Sequence, residues 1–182
     1  MEFSFLTPLI AADGLLFSSD GLLYTTEKTG LITDRTKSDV DRARRLTSIG
    51  ISEMSADEAA EWYSGLRGAY NASDMNRVGE AVRYLADLLT GYGYAVDVTA
   101  RQDWTIADAP SESELARYLA DVSAVRSALT MQDNTPLLPD SMAGMTWIGA
   151  NNIERVLAAV EDSIRRMEQS WFCSGEIYCG EV

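Results

Sequence analysis

The chain has 182 residues, 46% of them apolar, with 28 acidic against 15 basic residues, no histidine and a formal net charge of −13. Such a length suits one domain, or one domain plus appendages, with enough apolar residues for a core and no disorder signature. The charge argues against nucleic-acid backbone and anionic lipid as partners, because phosphates are repelled. The missing histidine removes the commonest general base, the Ser-His and Cys-His nucleophile pairs and most zinc sites.

Residues 1–30 differ from the rest. Gly14-Leu15-Leu16-Phe17 and Gly21-Leu22-Leu23-Tyr24 are near-copies around Ser18-Ser19-Asp20, and Asp20-Gly21 is a tight-turn dipeptide. Leu15–Phe17 and Leu22–Thr25 therefore read as the strands of a hairpin, which is marginal in water without something to dock on. The stretch MEFSFLTPLIAADG has an early acid, Glu2, and no basic n-region, so it is not expected to be a signal peptide. No run approaches the roughly 18–20 apolar residues of a membrane span.

From Leu31 the pattern turns helical. Asp34-Arg35-Thr36 leads into a helix over 38–49 with Val40, Ala43 and Leu46 inward. Arg42, Arg44 and Arg45 form a basic patch that Asp39 and Asp41 can pair along a solvated face. Ser55-Ala56-Asp57-Glu58 is a capping box opening a short helix to about Leu66. The clearest helix begins near Asn71. Its stripe is Met75, Val78, Val82, Leu85 and Leu89, spaced three, four, three and four. Asn71 or Ser73 caps it, Asp74 suits the dipole, and Asp74–Arg77 and Arg83–Asp87 are expected to pair on its outer face. Gly79 weakens its middle by roughly 1 kcal/mol and suggests close approach of another backbone; Gly91 and Gly93 mark its end.

Tyr94-Ala95-Val96-Asp97-Val98 alternates and reads as a short strand. Ser111-Glu112-Ser113-Glu114 is a second capping box, opening a helix to about Leu129 with Leu115, Leu119, Val122, Val125 and Leu129 as its stripe. Pro136 and Pro139 mark a loop over 131–145. The last helix is expected over 146–170, with Ile153, Val156, Val160, Ile164, Met167 and Trp171 along one face. The aromatic, glycine-bearing end from Trp171 suggests a strand. It holds the two cysteines, Cys173 and Cys179, which are expected to stay free thiols packed in an interface.

Ser38-Asp39-Val40-Asp41-Arg42-Ala43, Ser73-Asp74-Met75-Asn76-Arg77-Val78 and Asn151-Asn152-Ile153-Glu154-Arg155-Val156 share a pattern. In it an Asp or Asn stands three residues before an Arg. Unequal spacing excludes a solenoid. Helix-start chemistry accounts for the acids and amides, Asp39, Asp74, Asn76 and Asn152. The recurring arginines, Arg42, Arg77 and Arg155, are expected to reach a carboxylate or carbonyl on a neighbouring helix. A second pair is Asp34-x-Thr36-x-x-Asp39 and Asp103-x-Thr105-x-x-Asp108. No G-x-G-x-x-G, P-loop, G-x-S-x-G or HExxH is present. Calcium ligands at Asp103, Asp108 or Asp133-Asn134 lack the spacing of a loop site.

Three stretches carry a family resemblance: Asp103-Trp104-Thr105, Asn71 to Val78 with Tyr84-Leu85, and the run from Trp171 through Ser174-Gly175-Glu176-Ile177-Tyr178-Cys179-Gly180-Glu181. In that order they resemble small structural proteins from tail and baseplate gene modules of phages and prophages of Gram-positive bacteria. The resemblance covers roughly residues 31–181. It implies a virion component made in the host cytoplasm, with no catalytic residue, cofactor or metal. The partners it implies are other tail proteins and further copies of itself, as a homo-oligomer. Nucleic acid and membrane insertion are not expected.

The combined expectation is a mainly α fold: a bundle of about five helices over 31–171, a β-hairpin attachment segment over 1–30 and a strand-like tail over 172–182. The apolar ends are expected to contact neighbouring subunits through Phe3, Phe5, Leu15, Leu16, Phe17, Leu22, Leu23 and Tyr24 at one terminus. Trp171, Phe172, Ile177 and Tyr178 would do so at the other, since unpaired apolar strand edges invite pairing. The alternatives are an acidic binding or adaptor module outside a virion and, behind it, a glycan-cleaving enzyme using paired carboxylates.

Overall fold

A computed structural model describes residues 9–10, 15–17, 23–25 and 29–173, with side chains described from 29 to 170. The chain divides into two compact units, Met1–Gly30 and Leu31–Val182. Among the described residues the second unit is helical, with no strand: α1 Lys37–Ile49, α2 Ala56–Ser64, α3 Ala72–Gly91, α4 Glu112–Ser127 and α5 Trp147–Cys173, plus one 3-10 turn at Ile51–Glu53.

Helix starts follow local chemistry. Thr36, Ser55, Asn71 and Ser111 each accept a backbone N–H three residues on, and Asp39, Glu58, Asp74 and Glu114 each return a bond to the cap's own N–H. Each reciprocal pair satisfies two backbone donors that a helix start leaves without partners. α3 runs through Gly91 to a cap at Tyr92, and Gly93, at φ +88, takes the left-handed turn that follows.

The spacing of apolar residues decides the packing. α3, α4 and α5 pack pairwise on one another. Val78, Val82, Leu85 and Leu89 meet Val122 and Val125 and the α5 face of Ile153, Val156, Leu157, Val160 and Ile164. α1 and α2 build a smaller cluster, with Ala43, Leu46 and Leu66 buried and Trp62, Ile49 and Met54 half-buried. At roughly 1.5–3 kcal/mol per fully buried large apolar side chain, the three-helix core dominates the fold. The α1–α2 layer leans more on ion pairs: Arg42 Nη2 lies 2.5 Å from Glu61, and Arg45 pairs with Glu58.

Several expectations need correction. Residues 94–98 form no strand; Val96 and Val98 are half-buried against the three-helix core, so their alternation reflects a segment lying along helices. The strand expected from Trp171 begins inside α5, which continues through Cys173, because the apolar stripe of α5 does not break at Ser170. Residues 174–182 lie outside the described residues, as do Phe3, Phe5 and Leu22. In the first unit, Leu9–Ile10 pairs antiparallel with Leu16–Phe17, and Leu15–Phe17 with Leu23–Thr25. The turn expected at 18–22 is also outside the described residues, and pairings of two or three residues leave the helices as the established architecture.

Two glycines are close approaches. A Cβ on Gly68 would meet Asp39 O at 2.0 Å, and one on Gly79 would meet Arg101 O at 2.2 Å. Alanine inside a helix gains up to about 1 kcal/mol over glycine, whereas overpacking costs about 1–3 kcal/mol. Because the clash at Gly79 is with backbone, packing wins. G79A is expected to lower the urea midpoint, whereas a midpoint raised by the propensity gain would show that residues 99–104 do not lie against α3.

The α1–α2 ion pairs make a pH prediction. The guanidinium of Arg45 holds the Glu58 carboxyl at about 2, below its usual 4.5, with the Ser55 cap adding to the effect. A depressed carboxyl contributes stability above its unfolded pKa and loses it as pH falls toward the folded one. Stability against urea is therefore expected to decline between about 4.5 and about 2, and R45A should remove Glu58's share of that decline. An R45A acid limb parallel to that of the parent would count against the assignment.

Candidate functional site

The polar centre of the molecule joins the segment before α1 to α3 and α5. Arg35, buried, places Nη2 2.8 Å from Asp74 Oδ1 and 2.7 Å from Glu154 Oε1. Arg77 donates from Nε to Glu154 Oε2 at 3.1 Å and also pairs with Asp74. Ile32 N–H donates to Glu154 Oε2 at 2.5 Å, and Asn151 exchanges two bonds with the Arg35 main chain. Two cations and two anions sum to zero, and each carboxylate meets several donors, which is what makes burial of charge tolerable. Burial works against the charge on Arg77, but the bonds from Glu154 and Asp74 outweigh it and raise its pKa.

Beside this cluster, Tyr70 and Tyr118 share a hydroxyl hydrogen bond of 2.5 Å, and Arg35 lies over the Tyr70 ring at 5.7 Å. Burial raises the pKa of both phenols. Buried phenols held in the neutral form act here as a bridge from the α2–α3 connection to α4.

The second construction is a clamp on Trp104. Asn76 on α3 donates from Nδ2 to Trp104 O at 2.9 Å and accepts from Trp104 N–H at 2.7 Å. One amide thus replaces a strand partner for one residue of loop. Gly79, one turn further along α3, admits the Arg101 carbonyl. Arg101 stacks over the indole at 3.9 Å and pairs with Asp103, Asp108 and Glu114. Asp108 accepts from Thr105 N–H and Oγ1, the arrangement that Asp39 makes with Thr36, although no helix follows Thr105. Thr105, then Arg101, hold the Asp108 carboxyl below the usual range.

A cavity of about 320 Å³ adjoins the clamp. Its walls are Gly79 and Val82 of α3, residues 99–101 with Trp104, and Ser113, Glu114, Arg117, Tyr118 and Asp121 of α4. Trp104 is 6% exposed, and its indole Nε1 has no partner among the described residues. Arg117 donates to Thr99 Oγ1 at 3.3 Å, and no carboxylate lies within ion-pair distance of it among the described residues. Asp121, 7% exposed, accepts from Thr99 N–H and Oγ1 at 3.3 and 3.4 Å and has no described cation at ion-pair distance. A second cavity, about 370 Å³, is bordered by Arg35, Arg44, Tyr70 and the start of α5.

The motif residues singled out in the sequence fall in three different settings. Asp39 closes the Thr36 cap, and Arg42 crosses to Glu61 of α2. Asp74 and Arg77, expected on an outer face, are turned inward, because Arg35 and Glu154 meet them there. Asn152 donates to Leu137 O at 3.2 Å, and Arg155 donates to Thr33 O at 3.0 Å. Helix-start chemistry does not apply to this third copy, since α5 begins at Trp147 and Asn152 already sits in its second turn. Of the apolar ends, Leu15, Leu16, Phe17, Leu23 and Tyr24 lie in the paired segments, and Trp171 and Phe172 lie in the last turn of α5. Ile177 and Tyr178 are outside the described residues. The calcium candidates Asp103 and Asp108 are both engaged by Arg101.

Sequence reasoning missed the roles of Arg35, Arg117 and Asp121. It placed Asn151 and Glu154 only as motif positions. One signal was available: Glu154 stands one turn before Leu157, so a carboxylate stood at the edge of the apolar face, where a buried one requires a partner.

Compared with protein families, with curated proteins and with solved structures, the chain matches none of them. Among the described residues no helix is long and apolar enough to cross a membrane.

The buried cluster sets a mutational expectation. Removing one charge of a buried pair costs about 3–5 kcal/mol, whereas an exposed pair contributes about 0.2–1 kcal/mol. E154Q should therefore lower unfolding free energy several-fold more than loss of the exposed Arg83–Asp87 pair in R83A. Equal effects in urea titration would mean that Glu154 is hydrated in solution.

Proposed function

We propose that the chain is a non-enzymatic structural component of a phage tail or tail-derived particle: a baseplate, tail-fibre or adaptor subunit acting through protein–protein contacts. One observation supports this reading. The side chains that carry the resemblance over 71–78 and 103–105 hold backbone and buried charge inside the fold. Asn71 and Asp74 close a helix cap, Asn76 clamps Trp104, and Arg77 meets Glu154, whereas Asp103 pairs with Arg101 at the surface. Residues kept for a framework are what related structural parts would share, whereas related enzymes would share groups turned toward a substrate.

In this reading the two ends of the chain, 1–30 and the residues after α5, add to neighbouring subunits, with homo-oligomerisation as the simplest case. Mass spectrometry of purified particles from the producing strain tests the assignment directly, and the chain is expected among the virion proteins. A chain lacking residues 1–30 should keep its helical circular dichroism and lose oligomerisation or incorporation. Melting of the helices in that truncation would place the ends in the subunit's own core. Absence from particles would overturn the virion assignment.

A further inference from the structure

We propose that the cleft between α3 and α4 is a binding site for a small zwitterion, an amino acid with an apolar side chain. This does not rest on the assembly reading. At about 320 Å³ the cavity lies at the small end of the roughly 300–1,000 Å³ range of ligand sites.

Its walls carry two buried polar groups, the Trp104 indole and Asp121, whose bonds are missing or long, and one exposed cation, Arg117, with no described carboxylate beside it. The indole N–H of Trp104 is buried without an acceptor. Arg117 has one bond, to a hydroxyl, and no described carboxylate at ion-pair distance. Asp121 is buried on two long bonds from Thr99 and has no described cation at ion-pair distance. The other wall charges are already matched, since Arg101 has three carboxylates and Glu114 holds both the Ser111 cap and Arg101.

What remains is one positive and one negative group a helical turn apart on α4, so both line the same wall. Their charges sum to zero, which selects a net-neutral dipolar ligand over an anion or a cation. A ligand carboxylate would accept from Arg117, beside the Trp104 indole. A ligand ammonium would donate to Asp121. Val82 and Ala100 stand on the apolar part of the wall, which would receive an apolar side chain. Thr99 Oγ1 already bridges the two charges, accepting from Arg117 and donating to Asp121, so the dipole is held in place beforehand.

The test is a titration of the full-length ¹⁵N-labelled protein, read at the Trp104 indole N–H signal, which W104F identifies. The probes are leucine and phenylalanine, with 4-methylpentanoate and 3-methylbutylamine as analogues of leucine that lack one charge each. Leucine or phenylalanine should move the signal saturably, and each analogue should bind at least about ten-fold more weakly than leucine. R117Q should reduce leucine to the level of the amine analogue, and D121N to that of the acid analogue. Arg117 is solvent-exposed, so R117Q should fold and can decide the matter alone if D121N does not. No movement with either amino acid, an analogue binding as tightly as leucine, or unchanged leucine binding in R117Q would each overturn the proposal.

Discussion

Burial of three charges, Arg35, Asp74 and Glu154, with half-buried Arg77 beside them, at the meeting point of the pre-α1 segment, α3 and α5 is the constraint on which the rest depends. Each ion removed from water costs several kcal/mol, and only close geometry with further hydrogen bonds offsets it. That geometry exists here. Glu154 accepts from Arg35, Arg77 and the Ile32 N–H, while Asp74 accepts from both arginines and from the Asn71 N–H. Apolar residues of the same volume would fill the space without determining which turn of α3 faces which turn of α5. The charges admit one register, because a shift of one residue would leave a buried cation facing hydrocarbon. The segment from Leu31 to Thr36 is drawn in by the same bonds, and that sets where α1 begins.

The fold therefore has two grades of stability. α3, α4 and α5 close over a continuous apolar core. α1 and α2 lie outside it on three buried apolar residues, with exposed pairs from Arg42 and Arg45. Exposed pairs contribute little each and weaken with salt. Local opening is thus expected to begin in the α1–α2 layer, where apolar contacts are few. A chain with a formal charge of −13 has a further reason for this order. Its acids repel one another, and the layer held by surface arginines is the one that screening or protonation reaches first.

Much of the helical architecture was legible because its causes are local. Capping boxes at Ser55 and Ser111 and the Met75–Leu89 stripe depend on residues three or four apart, and the helices follow them. What was not legible depends on partners far along the chain. Asp74 and Arg77 look like a surface i,i+3 pair, and nothing near them in sequence announces Arg35 or Glu154. Asn76 looked like helix-start chemistry, yet it clamps a loop residue 28 positions away. Tyr94–Val98 alternates as a strand does, but a strand needs a neighbouring strand, and the described residues of the second unit include none. For the candidate site, Trp104 stood out only as part of a motif, while Arg117 and Asp121 looked like ordinary charges on α4.

The three copies of the acid-and-arginine pattern show why such a motif identifies a framework more readily than a site. A carboxylate or amide three residues before an arginine puts both on one side of a helix, whatever the helix faces. In the first copy that side meets solvent and α2, so Arg42 finds Glu61. In the second it meets the pre-α1 segment and α5, and the pair is buried. In the third the roles separate: Asn151 and Glu154 turn inward, while Asn152 and Arg155 hold loop carbonyls outside. The shared letters thus encode a way of tying a helix to whatever lies beside it. Arg117 and Asp121 belong to no copy of the pattern, and the fold gives neither an opposite charge at ion-pair distance among the described residues. Both stand on the α4 wall of the cleft beside Trp104, outside the ties that hold the framework.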